Sequence, residues 1–182
     1  MRERKPKPLG ADELFDYAAS ALGRRAHSLG ELRDKLRRRC AAAADVDSVI
    51  RRLKEYGYLD DKSFAENYAA RRLENEGHGK MRVLRELSQR RIAPQVAEQA
   101  VEKAFAETDE VELIENFLAR KFRGKHLPTF LAEPKNLAGA FRRLRYAGFS
   151  SGKSLLVLKR YSQQAEELEE LEEEGPEGPV RR

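Results

Sequence analysis

The sequence predicts an all-α protein, an elongated array of three tandem three-helix repeats with helix–turn–helix-like units. The first observation behind this is a recurring frame. When Leu36, Leu87 and Leu144 are set under one another, Leu32, Val83 and Ala140 fall four residues before them. Cys40, Arg91 and Gly148 fall four after, Val46, Ala97 and Ser154 ten after, and Ile50, Val101 and Leu158 fourteen after. A spacing shared by copies 51 and 57 residues apart implies one helical unit used three times. The second observation is composition: 40% hydrophobic and 37% charged residues without tryptophan suit neighbour-on-neighbour stacking better than one round core. The third is that no segment alternates like a strand between hairpin turns.

The repeats bound the chain as a basic N-terminal tail (1–11), repeats over 12–59, 60–106 and 107–161, and an acidic C-terminal tail (162–182). Asp12 opens the first repeat, with Leu14, Phe15, Ala18, Ala21 and Leu22 at helical spacing. A second helix, about Leu29 to Arg39, places Leu29, Leu32 and Leu36 on one face, and a third from near Asp45 turns Val46, Val49, Ile50 and Leu53 inward until Gly57. Gly57-Tyr58-Leu59-Asp60-Asp61, with Phe64-Ala65, then forms the seam to the second repeat. Gly57 turns the chain, Tyr58 and Leu59 are expected to be buried between the repeats, and Asp60 or Asp61 caps the next helix.

Phe64, Tyr68 and Leu73 mark the buried side of that helix. Gly77 and Gly79 break the chain before a helix over Met81–Arg90, and Pro94 starts one containing Val96, Ala97, Ala100, Val101 and Phe105. The third repeat begins near Asp109 with Val111, Ile114, Phe117 and Leu118. A loop from about Gly124 to Pro134 follows, then a helix over Leu137–Ala147. Ser150 or Ser151 caps a last helix containing Leu155, Leu156 and Leu158, which is expected to run on towards the glutamate-rich tail.

Charge is unevenly spread. Residues 161–182 carry eight Glu against Arg181 and Arg182, while the whole chain is +5, so the body is strongly basic. Between Lys135 and Ala165 there is no acidic residue. Such a field favours a polyanion or an acidic protein surface. Candidate contact residues are Arg142, Arg143, Arg145 and Lys153 in this stretch, Arg37, Arg38 and Arg85 on the other second helices, and Arg24, Arg25, Arg71, Arg72, Arg120 and Lys121 at the ends of first helices. Asp34 and Glu86 partly offset the charge near Arg37, Arg38 and Arg85, which ranks the third repeat foremost. The acidic tail is close enough in sequence to compete for it.

Other chemistries find little support. Gly148-Phe149-Ser150-Ser151-Gly152-Lys153-Ser154 is one residue short of a phosphate-binding loop and follows a helix, where that motif needs a strand. His27, His78 and His126 lie far apart without partners at metal-ligand spacing and read as surface histidines, and no cofactor or metal site is expected. A lone cysteine, Cys40, suits a reducing compartment. The N-terminus lacks the apolar core of a secretory signal, and no apolar run is long enough to cross a bilayer. We therefore expect a cytoplasmic monomer. The third helices are too apolar to serve as exposed base-reading helices, although a helix–turn–helix transcription factor remains the rival class.

The seam motif within this three-repeat frame resembles the RecX family of bacterial recombination regulators, over about Asp12 to Tyr161. Ser28 with Glu31-Leu32-Arg33, Glu86-Leu87 with Arg90, Arg120-Lys121-Phe122 and Gly148-Phe149-Ser150 fit the family pattern. Where the family tends to have glycine at the end of the second helix, this chain has Cys40 and Arg91, so those two turns are expected to differ from the third. The resemblance implies a non-enzymatic regulator that binds the RecA recombinase, lies along its filament on single-stranded DNA, and restrains its ATPase, strand-exchange and co-protease activities. It also implies roles in homologous recombination, DNA repair and the SOS response. A sequence-independent nucleic-acid-binding helical protein is the alternative.

Overall fold

The computed structural model describes residues 7–162 and Ala165. The acidic stretch that sequence reasoning set against the basic third repeat therefore lies outside the described residues, Ala165 apart. The described chain folds into ten α-helices: α1 Ala11–Arg24, α2 Leu29–Arg37, α3 Ala43–Glu55, α4 Asp61–Arg71, α5 Lys80–Gln89, α6 Pro94–Ala104, α7 Glu110–Lys121, α8 Leu127–Leu131, α9 Pro134–Ala147 and α10 Ser151–Lys159. A π-helical turn, Arg72–Glu76, follows α4. The architecture is an all-α array of helical repeats. It divides into two compact units, one of residues 7–71 with 84–104, the other of residues 72–83 with 105–162 and Ala165.

The recurring frame is a burial frame. Leu32, Leu36, Val83, Leu87, Ala140 and Leu144 are fully buried, as are Val46, Ala97, Ser154, Ile50, Val101 and Leu158 to within a few per cent. The first helices follow the same logic, with Leu14 and Ala18, Ala65 and Ala69, and Ile114 and Leu118 inside. From Leu14 to Leu32 and from Ala65 to Val83 is 18 residues, but from Ile114 to Ala140 is 26. The extra eight residues hold α8, a short helix with Pro128 in its first turn and Leu131 fully buried. The segment read from sequence as a loop is thus partly helical. Its two prolines are tolerated because each stands in a first turn, where its missing N–H is not needed.

In the first unit, Leu14, Leu32, Leu36, Val49, Leu53 and Leu59 share one apolar cluster. Beside it α4 packs along α6 through Ala65, Ala69, Ala97 and Ala100, whose small side chains let the two backbones approach closely. The second unit has its own cluster around Phe141, Phe149, Leu118, Leu131 and Leu158.

The seam departs from expectation in one half. Leu59 is buried, but in the cluster of the first repeat, while Tyr58 is 60% exposed. The reason is local. The Gly57 amide bonds to the Lys54 carbonyl (2.9 Å) and the Tyr58 amide to the Leu53 carbonyl (2.9 Å), a Schellman ending with Gly57 at φ +71°. The chain leaves it extended, so with Leu59 inward its neighbour Tyr58 points outward. The two aspartates also divide their work. Asp60 caps α4 through the amides of Lys62 (2.9 Å) and Ser63 (3.2 Å), and the Ser63 hydroxyl and amide hold its carboxyl below the usual carboxylate range. Asp61 instead accepts the Leu29 amide of α2 at 2.7 Å. Asp12 is not the cap of α1 but sits in its first turn, 3.3 Å from Arg52.

The second-helix endings hold a further correction. α9 ends in a Schellman motif with Gly148 at φ +91°, and α5 ends in the same motif with Arg91 at φ +60°. Only the Cys40 turn differs. There the chain runs on to pair with Leu9, whose amide donates to the Arg39 carbonyl (2.7 Å) and whose carbonyl accepts from Ala41 (2.9 Å). That short bridge satisfies the end of α2 without a left-handed residue. Arg91 tolerates its conformation because Gly30 admits it and Asp34 pairs with its Nε at 2.7 Å.

Two stability tests follow from this packing. Leu59→Ala is expected to cost about 2–5 kcal/mol in urea unfolding, the range for truncating a buried leucine; wild-type stability in that variant would mean Leu59 is not packed. A Cβ at Gly30 would lie 2.4 Å from the Arg91 Cβ, so Gly30→Ala is expected to cost about 1–3 kcal/mol through overpacking. Arg91→Gly should relieve much of that cost in a double-mutant cycle, and strict additivity of the two would contradict the close approach.

Candidate partner-binding surface

The candidate cations fall into two sets once their geometry is known. One set has work within the fold. Arg25 pairs with Glu31 at 3.3 Å, Arg38 donates from Nε to the Asp34 carbonyl at 3.3 Å, and Arg72 pairs with Glu76. Arg120 donates to the Glu76 carbonyl at 2.8 Å, closing the π-helical turn. Gly77, beside it, stands at φ +57°, a left-handed conformation that favours glycine. Arg143 lays its guanidinium over the Phe122 ring at 5.4 Å, and Arg145 donates to the Phe149 carbonyl at 2.6 Å. The second set comprises Arg24, Arg37, Arg71, Arg85, Lys121, Arg142 and Lys153, all exposed and all without an ion pair among the described residues.

The Asp34 carboxylate is paired with Arg91, while Glu86 accepts the Tyr68 hydroxyl at 2.8 Å and keeps its charge beside Arg85. What distinguishes the α9–α10 surface is its acid-free sequence, with Lys135, Arg142, Arg143, Lys153, Lys159 and Arg160 all exposed on it.

The signature residues meet elsewhere, in a network that spacing alone did not foretell. The Ser28 hydroxyl accepts the Glu31 amide at 3.0 Å and donates to the Arg90 carbonyl. Glu31 returns a capping bond to the Ser28 amide (3.4 Å) and accepts Arg90 Nη1 at 2.8 Å. Arg90 lies over the Tyr68 ring at 4.8 Å, and Tyr68 donates to Glu86. These residues lock α2 to α5 in the first unit. In the second unit the Gly79 amide donates to Ala147 (2.9 Å), the Met81 amide donates to Gly148 (3.1 Å), and Glu110 accepts both the amide (2.7 Å) and the hydroxyl (2.8 Å) of Ser150. Ser150 thus stands at the N-cap of α10, which ends at Lys159, but gives its hydroxyl to Glu110.

The histidines also depart from expectation, since His27 and His78 are buried and only His126 is exposed. His27 Nδ1 lies 2.9 Å from the Arg25 carbonyl, to which it donates. Among the described residues no cluster of His, Cys, Asp or Glu could hold a metal ion, and no helix is long and apolar enough to cross a membrane.

The fold and surface define a helical repeat protein whose ordered polar networks serve packing and whose unpaired cations face outward. Models of the first and second three-helix domains of RecX match residues 15–53 and 60–101. A regulatory protein RecX of Vibrio vulnificus is 37% identical over 137 residues, covering 74% of this chain and 84% of the relative. A regulatory protein RecX of Escherichia coli is 34% identical over 146 residues, covering 75% and 84%. The crystal structure of RecX from Lactobacillus salivarius superposes with a TM-score of 0.62 at 20% identity, over 83% of this chain and 96% of that one, which speaks for the fold. The chain belongs to the RecX family of regulatory proteins.

Burial lowers the pKa of His27 below the ordinary 6.5, ahead of the opposing hydrogen bond to Arg25, with Arg25 lowering it further and Glu31 and Lys35 the other charges in reach. The neutral ring is the folded form, so this contribution to stability is complete above pH 6.5 and declines as pH falls towards the folded-state value. Proton NMR titration is expected to give His27 a midpoint below 6.5. A midpoint for His27 above 6.5 would contradict its burial.

Proposed function

We propose that this chain is a non-enzymatic regulator that binds RecA, or the RecA filament on single-stranded DNA, and inhibits its ATPase, strand-exchange and co-protease activities. It acts in the cytoplasm, as a monomer, within homologous recombination, DNA repair and the SOS response. The observation that carries the reading is the meeting of RecX family membership with outward cations that have no internal counter-ion. An array that presents such cations on several helices can gain affinity by multivalent contact, each contact weak alone. Arginine suits the task because its fork pairs with phosphate or carboxylate in bidentate fashion.

The alternative of a sequence-independent nucleic-acid binder shares this surface and differs in needing no RecA. The transcription-factor reading has less to support it. The third helices bury Val46, Val49, Ile50 and Leu53, or Ala97, Ala100 and Val101, or Leu155, Val157 and Leu158. The exposed positions of α6 include Gln95, Glu98, Gln99 and Glu102, and two carboxylates there would be repelled by phosphate.

The test is inhibition of filament ATPase by Arg142→Glu/Arg143→Glu, which leaves the Arg145–Phe149 bond in place. The variant is expected to keep wild-type helicity by circular dichroism and to inhibit at least about tenfold less well, the scale of two charge-assisted hydrogen bonds removed. Where phosphates are the target, the salt slope of DNA binding should fall by about one for each phosphate pairing abolished. Undiminished inhibition would move the interface off α9. Failure of the wild-type chain to bind RecA, with or without single-stranded DNA, would leave only the nucleic-acid reading.

A further inference from the structure

Tyr146 on α9 is a large aromatic residue left 60% exposed on the acid-free stretch. It is not a lone ring. The Arg82 guanidinium lies 5.3 Å from its centroid. Arg82 is brought there where the start of α5 meets the end of α9: a Cβ on Gly148 would lie 2.2 Å from the Arg82 amide nitrogen, so only glycine lets the two segments meet. Met81, whose amide holds the Gly148 carbonyl, is 57% exposed beside it.

Lys135, Arg142 and Tyr146 recur at intervals of seven and four and so share one face of α9. Gly139 falls on that face between the two cations, and a Cβ there would meet nothing within 4 Å. The face therefore presents a cation, a gap, a second cation without an internal counter-ion, and a ring backed by a guanidinium. The strip is about 16 Å long at the helical rise per residue.

The chemistry selects among occupants. An apolar protein surface would have to bury Arg142 with no carboxylate of this stretch to balance it, which is costly. Duplex DNA offers phosphates but hides its base faces in the stack. An unpaired strand offers both at once, a base face for the ring and phosphates for the cations.

We propose that Tyr146, backed by Arg82, is a stacking platform for one unpaired nucleobase, with Arg142 and Lys135 following the adjoining phosphates. This deepens the reading above, in which the filament carries a single strand, but it concerns direct contact and is tested without RecA.

The chain has no tryptophan, so Tyr146→Trp in the full chain gives a single reporter at the platform. Oligothymidylate and an abasic oligomer of equal length are titrated against it at fixed low salt. The base-bearing oligomer should quench the emission and the abasic one should not. In the otherwise unaltered chain, Tyr146→Ala should weaken oligothymidylate binding about tenfold, within the range for removing one stack. Binding of the abasic oligomer should change less than about twofold, and Tyr146→Phe should restore the loss, since the ring is what stacks. Arg142→Gln should weaken both oligomers alike and lower the salt slope by about one.

Equal quenching by the two oligomers, or equal weakening of both by Tyr146→Ala, would overturn the proposal. So would a Tyr146→Ala variant that binds oligothymidylate normally yet loses DNA-free capture of RecA, which would make the ring a protein contact. Base-dependent binding in a chain that neither captures RecA nor inhibits its filament would keep the platform and discard the filament reading.

Discussion

The structure depends on one seat: the start of a second helix set against the end of the second helix that follows it in the chain. In the first unit the Ser28 hydroxyl meets the Arg90 carbonyl and Gly30 makes room for Arg91. In the second unit the Gly79 amide meets the Ala147 carbonyl, and Gly79 and Gly148 are both too close to neighbouring backbone to carry a Cβ. Ser28 and Gly79 are 51 residues apart, and Arg90 and Ala147 are 57 apart, the same offsets as the apolar frame. A carbonyl at the end of a helix lacks an intrahelical partner, and an amide or hydroxyl at the start of another supplies it. Each seat thus satisfies a helix end while it fixes where the next helix lies. Apolar burial alone would leave that position free to slide.

The seat explains what the family signature is for. Glu31 pairs with Arg90, Glu86 accepts from Tyr68, Asp61 accepts the amide at the start of α2, and Phe149 fills the core. Removing one partner from such a network strands the other half-buried and charged, which costs more than the intact pair contributes. Exposed cations such as Arg142 and Lys153 are free of that constraint, since any of several arrangements on a helical face gives a similar field.

Much of this was legible in sequence because a helical period writes burial directly onto spacing. Leu36, Leu87 and Leu144 are found where the frame puts them, and Pro94 and Asp109 mark helix starts as expected. What was not legible depended on distant neighbours. Tyr58 lies outside because the Gly57 ending fixes the direction in which the chain leaves, and no local signal tells which of two adjacent apolar residues turns inward. His27 and His78 are polar residues drawn inside by the packing around them. Arg91 takes a left-handed conformation that its own side chain disfavours. The reason lies far back in the chain, at Gly30 and Asp34 of α2. The candidate surface was legible as charge but not as geometry, since only the fold separates an arginine with an internal partner from one without.

That separation bears on how charge and function are connected in this fold. Arg120 supports the π-helical turn at Glu76, Arg145 holds the Phe149 carbonyl, and Arg143 covers Phe122. Each also adds positive charge to the surface, so the field felt by a polyanion includes residues that are fixed in place by the fold. A fixed guanidinium loses less side-chain entropy on binding than a free one. A guanidinium carries five N–H donors, more than a single carbonyl can occupy. The fold therefore does not divide its arginines cleanly into structural and functional ones. Arg120 and Arg145, anchored to backbone carbonyls, give the surface fixed positive charge, whereas Arg142 is exposed and has no ion pair among the described residues to fix it.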